Sequence, residues 1–176
     1  MHFKIQKGNG LKGEITVPGD KSMSHRAIML ASLAEGKSEI SGLLEGEDCL
    51  ATIEVFKKMG VNISRREGIF IVEGRGLRGL KDPSDSLDFG NSGTSVRLCS
   101  GVLAAQEFSS TLIGDSSLSS RPMTRITEPL GLMGANTSSS KEGTLPIRIK
   151  PVGSLKSIQY SLPVASAQVK SCLLFA

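Results

Sequence analysis

The stretch Gly19-Asp20-Lys21-Ser22-Met23-Ser24-His25-Arg26 sets a lysine, a hydroxyl and an arginine in and just after a turn. That turn opens onto an apolar run, Ala27-Ile28-Met29-Leu30-Ala31-Ser32-Leu33. A helix N-terminus offers backbone N–H groups without intrahelical partners and the positive end of the helix dipole. With Lys21, Ser22 and Arg26 added, the chemistry on offer is capture of a phosphate or a carboxylate. The pattern recurs in Gly90-Asn91-Ser92-Gly93-Thr94-Ser95-Val96-Arg97, and again in Val164-Ala165-Ser166-Ala167-Gln168-Val169-Lys170. In each copy small and polar residues lead to a basic residue that begins an apolar helical run. Arg26, Arg97 and Lys170 stand 71 and 73 positions apart, and Cys99 and Cys172 repeat the 73 spacing.

The later parts of the first two copies match as well. Lys57-Lys58-Met59-Gly60-Val61-Asn62-Ile63 parallels Gly131-Leu132-Met133-Gly134-Ala135-Asn136-Thr137 at an offset of 74. Each leads to a β-branched run, Ile69-Phe70-Ile71-Val72 and Leu145-Pro146-Ile147-Arg148-Ile149, and then to Gly-Leu or Gly-Ser-Leu before a lysine. A period of this size describes a whole supersecondary unit in tandem, not a short solenoid repeat.

The elements that must position these residues follow. Leu11 to Pro18 alternates like a strand closed by proline. A helix runs from Ser22 to Ala34 and stops at Glu35-Gly36. Ser38 to Leu43 is a short strand, Asp48 caps a second helix through Met59, and Gly60 ends it. Val61 to Val72 is a hairpin around Arg66-Glu67-Gly68. The second unit repeats the order: strand Leu87 to Phe89, helix Thr94 to Ala105, strand Ser110 to Gly114, helix Met123 to Met133 with Pro122 in its first turn, then strands. The unit therefore reads βαβαββ, an α/β (α+β) module. The third copy has a strand, Ser157 to Leu162, and a first helix. By the period, about 60 further residues would complete it. The sequence predicts a piece of a longer protein, or a chain that pairs with a second one.

Composition bounds the reading. The chain has 176 residues, 39% of them hydrophobic, with a net charge of +4. No apolar run approaches the roughly 18 residues of a membrane span, and the first residues show no signal-peptide pattern, so the expectation is cytoplasmic. Cys49, Cys99 and Cys172 lack metal-ligand spacing and read as reduced core thiols. The positive charge suits nucleic acid or anionic small molecules; with one Tyr, no Trp and no dense Lys/Arg run, small anions fit better. Glu45, Glu47 and Asp48 read as a solvated turn with an N-cap, not as a metal or acid–base cluster. Beside Arg26, His25 reads as structural. Lys21 and Arg26 taken singly also fit ordinary surface cations, Arg121 a structural arginine before Pro122, and Arg97 a helix-to-strand tie. Asn91-Ser92-Gly93 and Ser166 fit plain helix caps.

Taken together, Asp20-Lys21-Ser22-x-x-x-Arg26, Gly90-Asn91-Ser92-Gly93-Thr94-x-x-Arg97, Ser120-Arg121-Pro122-Met123 and Ser166-Ala167-Gln168-Val169-Lys170-Ser171 resemble the 5-enolpyruvylshikimate-3-phosphate synthase family. All of the chain lines up, in order, with the N-terminal part of that enzyme. The resemblance implies an enolpyruvyl-transferase fold of tandem βαβαββ units with the third unit truncated. It implies that residues 1–18 form a strand segment of the other, C-terminal domain, and that 19–176 make an incomplete N-terminal domain. The family moves the enolpyruvyl group of phosphoenolpyruvate to the 5-hydroxyl of shikimate 3-phosphate and releases phosphate, on the way to chorismate and the aromatic amino acids.

What the resemblance implies for residues is specific. Lys21 touches both substrates; Ser22 and Arg26 hold shikimate 3-phosphate. Asn91 and Gly93 line the phosphoenolpyruvate pocket, with Arg121 on its anionic groups, and Thr94 is a further substrate-binding residue. Ser166, Ala167 and Gln168 face the shikimate phosphate and ring. Ala167 stands where many relatives have serine, so only its backbone N–H is left to donate. Gly93 keeps the small residue that leaves room for the inhibitor glyphosate. The family needs no metal and no cofactor, works as a monomer at full length, and takes its acid–base residues from the C-terminal half. Its partners are two small-molecule substrates and that missing half, with no nucleic acid and no membrane. Two alternatives stand beside this one. A UDP-N-acetylglucosamine enolpyruvyl transferase would show Lys-Asn at 21–22 and a cysteine near 115, where this chain has Lys21-Ser22 and no cysteine from 114 to 121. A non-catalytic anion- or RNA-binding module uses the same unit.

Overall fold

The computed structural model describes residues 2–8 and 10–176. Unit one contains α1 (Lys21–Leu33), β1 (Glu35–Ile40), α2 (Glu47–Lys58), β2 (Asn62–Arg66) and β3 (Ile69–Arg75). Unit two contains β4 (Leu87–Asp88), α3 (Gly93–Ala104), β5 (Ser110–Ile113), α4 (Ser116–Ser119), α5 (Thr124–Leu132), β6 (Asn136–Ser138) and β7 (Ile147–Lys150). A last helix, α6 (Ala167–Phe175), follows. The first sheet has the order β1-β3-β2, all antiparallel; the second has β4-β5-β7-β6, with β4 parallel to β5 and the rest antiparallel. Order and direction of β1-β3-β2 reproduce β5-β7-β6, so the repeat read from the sequence is present in the fold.

The repeat extends to single hydrogen bonds. α2 and α5 both end in a Schellman motif, with Gly60 and Gly134 at φ 84° and 92°. In the first, Val61 N donates to Phe56 O (3.1 Å) and Gly60 N to Lys57 O (2.9 Å); in the second, Ala135 N donates to Leu130 O (3.0 Å) and Gly134 N to Gly131 O (2.9 Å). The later lysines close both units alike: Lys81 N donates to Met59 O at 2.9 Å and Lys156 N to Met133 O at 2.8 Å. The β2–β3 turn holds Glu67 and Gly68 at φ 51° and 80°, the double left-handed pair of a tight hairpin.

One continuous core joins the units, and α3 runs through it, buried at every position except Thr94. Its apolar residues fill the core, and its buried Ser95, Arg97 and Ser100 are hydrogen-bonded there. α6 lies against it so closely that a Cβ at Gly101 would sit 2.0 Å from the Cys172 carbonyl oxygen. Cys49, Cys99 and Cys172 are buried and unbridged, as expected. Burial pushes the Cys99 and Cys172 thiols up to about 12, which leaves them inert.

Several local expectations are corrected. Residues 11–18 form no strand: they pair with nothing, and Leu11, Ile15 and Val17 are exposed. Alternation supplies a strand's faces but not its ladder partner. Residues 157–162 likewise form no strand, although Ile158, Tyr160 and Leu162 lean on the core. The cap of α2 is Gly46, and Asp48 lies inside its first turn. Met123 caps α5, so Pro122 falls just outside that helix. The strand expected at 38–43 spans Glu35–Ile40, and the unexpected short α4 fills the loop after β5.

Candidate functional site

Three helices begin at one place. Asp20 caps α1 by accepting from Met23 N (2.7 Å); Ser92 caps α3 by accepting from Ser95 N (3.3 Å); Ser166 caps α6 by accepting from Val169 N (3.3 Å). Just past the caps stand Lys21 on α1, Gly93 and Thr94 on α3, and Gln168 on α6. All four line one cleft of ≈ 330 Å³, together with Asp48 of α2, Asn91, Arg97 and Arg121. The first turns of helices from both units and from the start of the third copy thus meet at a single cavity.

Its side chains hold one another. Lys21 pairs with Asp48. Arg121 donates to Asn91 Oδ1 and, at 3.3 Å, to Ser117 Oγ. Asn91 in turn donates through Nδ2 to Asp115 Oδ2 at 2.8 Å. Asp115 also caps α4, accepting from Leu118 N at 2.7 Å, which ties that helix to the Asp115–Asn91–Arg121 chain. Arg97, only 8% exposed, donates to Gln168 Oε1 (2.9 Å), Pro122 O (3.3 Å) and Gly93 O (3.4 Å), while its Nε is buried without a partner. Gln168 Nε2 donates to Thr94 Oγ1 at 3.0 Å. Burial, and then the charges of Arg125 and Arg121, push the Arg97 guanidinium below the usual arginine range. The ordinary value is so high that it stays charged.

Lys21, Arg97 and Arg121 therefore face one carboxylate, Asp48, across the cleft. Excess positive charge plus helix N-termini suit a ligand with more than one anionic group. Gly93 is the floor: a Cβ there would lie 3.0 Å from both Arg121 Nη1 and Arg97 Nη1. Among the described residues no group of His, Cys, Asp and Glu could hold a metal ion, and no helix is long and apolar enough to cross a membrane.

Of the residues picked from the sequence, Lys21, Asn91, Gly93, Thr94, Arg121 and Gln168 meet at the cleft. Ser22, Arg26, Ser166 and Ala167 do not line it. The Ser22 carbonyl accepts from Arg26 Nη1 (3.0 Å), and Arg26 Nη2 reaches Ser171 Oγ of α6 (2.6 Å). Ser166 caps α6, whose first residue is Ala167. Two cleft residues were not on that list. Arg97 was signalled by its match to Arg26 in the repeat. Asp48 was hidden by its resemblance to a cap; its acidic partner Glu45 does behave as a surface group, pairing with Arg65 at 2.7 Å.

A family model described as EPSP synthase (3-phosphoshikimate 1-carboxyvinyltransferase) matches residues 5–176. A 3-phosphoshikimate 1-carboxyvinyltransferase of Hydrogenovibrio crunogenus is 54% identical over 177 residues, covering 100% of this chain and 40% of that protein. The one from Methylococcus capsulatus is 57% identical over 175 residues, covering 99% and 40%. The solved EPSP synthase from Acinetobacter baumannii superposes with a TM-score of 0.89 at 53% identity, over 93% of this chain and 38% of that one. The chain spans about 40% of the length of the curated relatives it matches.

Proposed function

The chain belongs to the EPSP synthase family, and from that premise we propose that its cleft is the N-terminal half-site for carboxyvinyl transfer from phosphoenolpyruvate to shikimate 3-phosphate. The observation that carries this reading is the meeting of three helix N-termini with Lys21, Arg97 and Arg121 at one cleft. Both substrates bring a phosphate and a carboxylate, and charge-assisted bonds to them are the strong ones.

Within this reading Arg121, oriented by Asn91, holds the anionic groups of phosphoenolpyruvate over Gly93. Lys21 lies between the two ligands and exchanges its contact with Asp48 for contact with substrate. Gln168 and Thr94 place the shikimate ring. Ser22, Arg26, Ser166 and the Ala167 N–H hold the sugar-like phosphate from the rim. The transfer protonates the methylene carbon of phosphoenolpyruvate to a methyl, adds the 5-hydroxyl oxygen to C2 as that hydroxyl gives up its proton, and then expels phosphate as the methyl loses a proton and the double bond re-forms. That sequence needs a general acid and a general base. The acid–base residues belong to the C-terminal remainder of the enzyme, which is the partner this half-site requires, so the isolated chain should give no phosphate release with both substrates. Buried, unbridged thiols fit a reducing compartment, the cytoplasm.

Calorimetry tests the reading. Shikimate 3-phosphate and phosphoenolpyruvate titrated into the chain should each bind at one site, and a short single-stranded RNA should not. RNA binding tighter than shikimate 3-phosphate, or no heat with either small anion, would overturn it.

A further inference from the structure

Beneath the cleft lies a chain of buried polar atoms with no role in ligand contact. His25 Nδ1 is 2.7 Å from Thr52 Oγ1, and Thr52 Oγ1 is 2.8 Å from Ser95 Oγ. All three residues are 0% exposed. They come from α1, α2 and α3, so one three-membered chain bridges three helices across both units. His25 and Thr52 each sit four residues, one helical turn, after a cleft residue, Lys21 and Asp48, and Ser95 lies in the first turn of α3 two residues after Gly93. His25 Nε2 is buried without a partner. An unmet buried acceptor costs less than an unmet N–H, so the ring carries its proton on Nδ1 and donates to Thr52.

Simple packing does not explain this placement. A buried polar atom costs stability unless bonded, and an apolar layer of the same shape would be at least as stable. Directional bonds do what apolar contacts do not: they fix the rotation and height of each helix relative to the other two. One turn above, that rotation decides whether Lys21 meets Asp48 and how far both stand from Asn91 and Gly93.

We propose that His25, Thr52 and Ser95 are positioning residues, a buried relay that sets the first turns of α1, α2 and α3 in register and so builds the cleft before a ligand arrives. Thr52 is the hinge of the relay because it bonds both neighbours. Its hydroxyl has one proton, which goes either to Ser95 Oγ at 2.8 Å or to Asp48 O at 3.4 Å; in the second case Ser95 donates to Thr52.

The test is Thr52→Val, with Ser95→Ala as the milder cut and Thr52→Ser as the rescue. The first readout needs no ligand: amide hydrogen exchange at Met23 and Ser24 in α1 and at Ser95 and Val96 in α3, followed by NMR. Thr52→Val should speed exchange at both sets about tenfold, the scale of one lost buried bond. Ser95→Ala should speed exchange in α1 although it shares no bond with that helix, and Thr52→Ser should restore both. Ser32→Ala, which removes a buried hydroxyl bonded only to Ile28 O within α1, should leave the first turns unchanged. The second readout, shikimate 3-phosphate affinity, rests on the proposed function and should fall about tenfold in Thr52→Val and recover in Thr52→Ser. Faster exchange confined to α2, or equal loosening by Ser32→Ala, would overturn the relay. A wild-type chain that binds no shikimate 3-phosphate overturns the functional reading, while the exchange pattern still decides the relay.

Discussion

Unit one and unit two are the same module put to different uses. Their later halves agree down to the Schellman glycines and the lysine N–H bonds that close them. They differ at their openings. Unit two begins with β4, paired in parallel to β5, and its first helix, α3, is buried at every position except Thr94. Among the described residues unit one has no paired opening strand, and its first helix α1 keeps Lys21, Ser22, Met23 and Leu30 exposed. The matched arginines tell the same story. Arg26 and Arg97 both reach across to α6, one to Ser171 and one to Gln168, but only Arg97 is buried and lines the cleft. Repetition supplies the scaffold; position relative to the third helix decides which copy becomes core and which becomes rim.

The largest effect should come where the units are locked through α6. Gly101→Ala places a methyl against the Cys172 carbonyl with backbone on both sides, and should cost about 3 kcal/mol through forced separation of α3 and α6. Urea unfolding would measure it. Gly131→Ala, on exposed α5 with nothing within 4 Å, should be neutral or stabilising. If the two behave alike, α3 is not the packing axis.

Acid should attack the layer between the units. Burial holds His25 down at about 4, against an ordinary 6.5; nearby Lys21 and Arg26 push the same way, and Asp48 opposes. Between those pH values the unfolded chain binds the extra proton and the folded chain does not. The stability from neutral His25 is therefore complete above pH 6.5 and lost as pH falls toward 4, about 2–3 kcal/mol over that span. Urea midpoints taken from pH 7 to pH 4 should follow this slope, and His25→Asn should flatten it.

The arginine pair gives the next step. Arg97→Ala removes the buried guanidinium and leaves the part-buried Gln168 and Pro122 oxygens without that donor, and should cost about 2 kcal/mol. Arg26→Ala, half-buried with one cross-helix bond, should cost less than about 1 kcal/mol. Thermal melts of both variants would rank them, and the reverse ranking would show that burial does not separate the two copies. Gly93→Ala acts on binding instead: the added methyl must displace two guanidinium tips by a few tenths of an ångström. It should weaken phosphoenolpyruvate about fivefold, near 1 kcal/mol, and leave shikimate 3-phosphate unchanged in side-by-side titrations.

Much of this was legible in the chain because it rests on local chemistry. Asp20, Ser92 and Ser166 cap helices by bonding three residues ahead, and Gly60 and Gly134 end helices through their own backbone, so short windows contain the whole signal. The alternation of residues 11–18 and 157–162 was equally legible but insufficient, because a strand exists only with a partner that the window does not contain. Asp48 was misread for the converse reason. Its sequence neighbours make a cap, whereas its partner Lys21 is on another helix. The His25–Thr52–Ser95 chain was invisible in the sequence, since nothing local joins positions separated by 27 and 43 residues.

The central claim is that two repeat units and α6 converge on one anion site, and amide shifts in a shikimate 3-phosphate titration test it most directly. Lys21 and Ser22, Gly93 and Thr94, and Gln168 should all move with one common dissociation constant. Shifts confined to one helix, or different constants for α1 and α3, would contradict it.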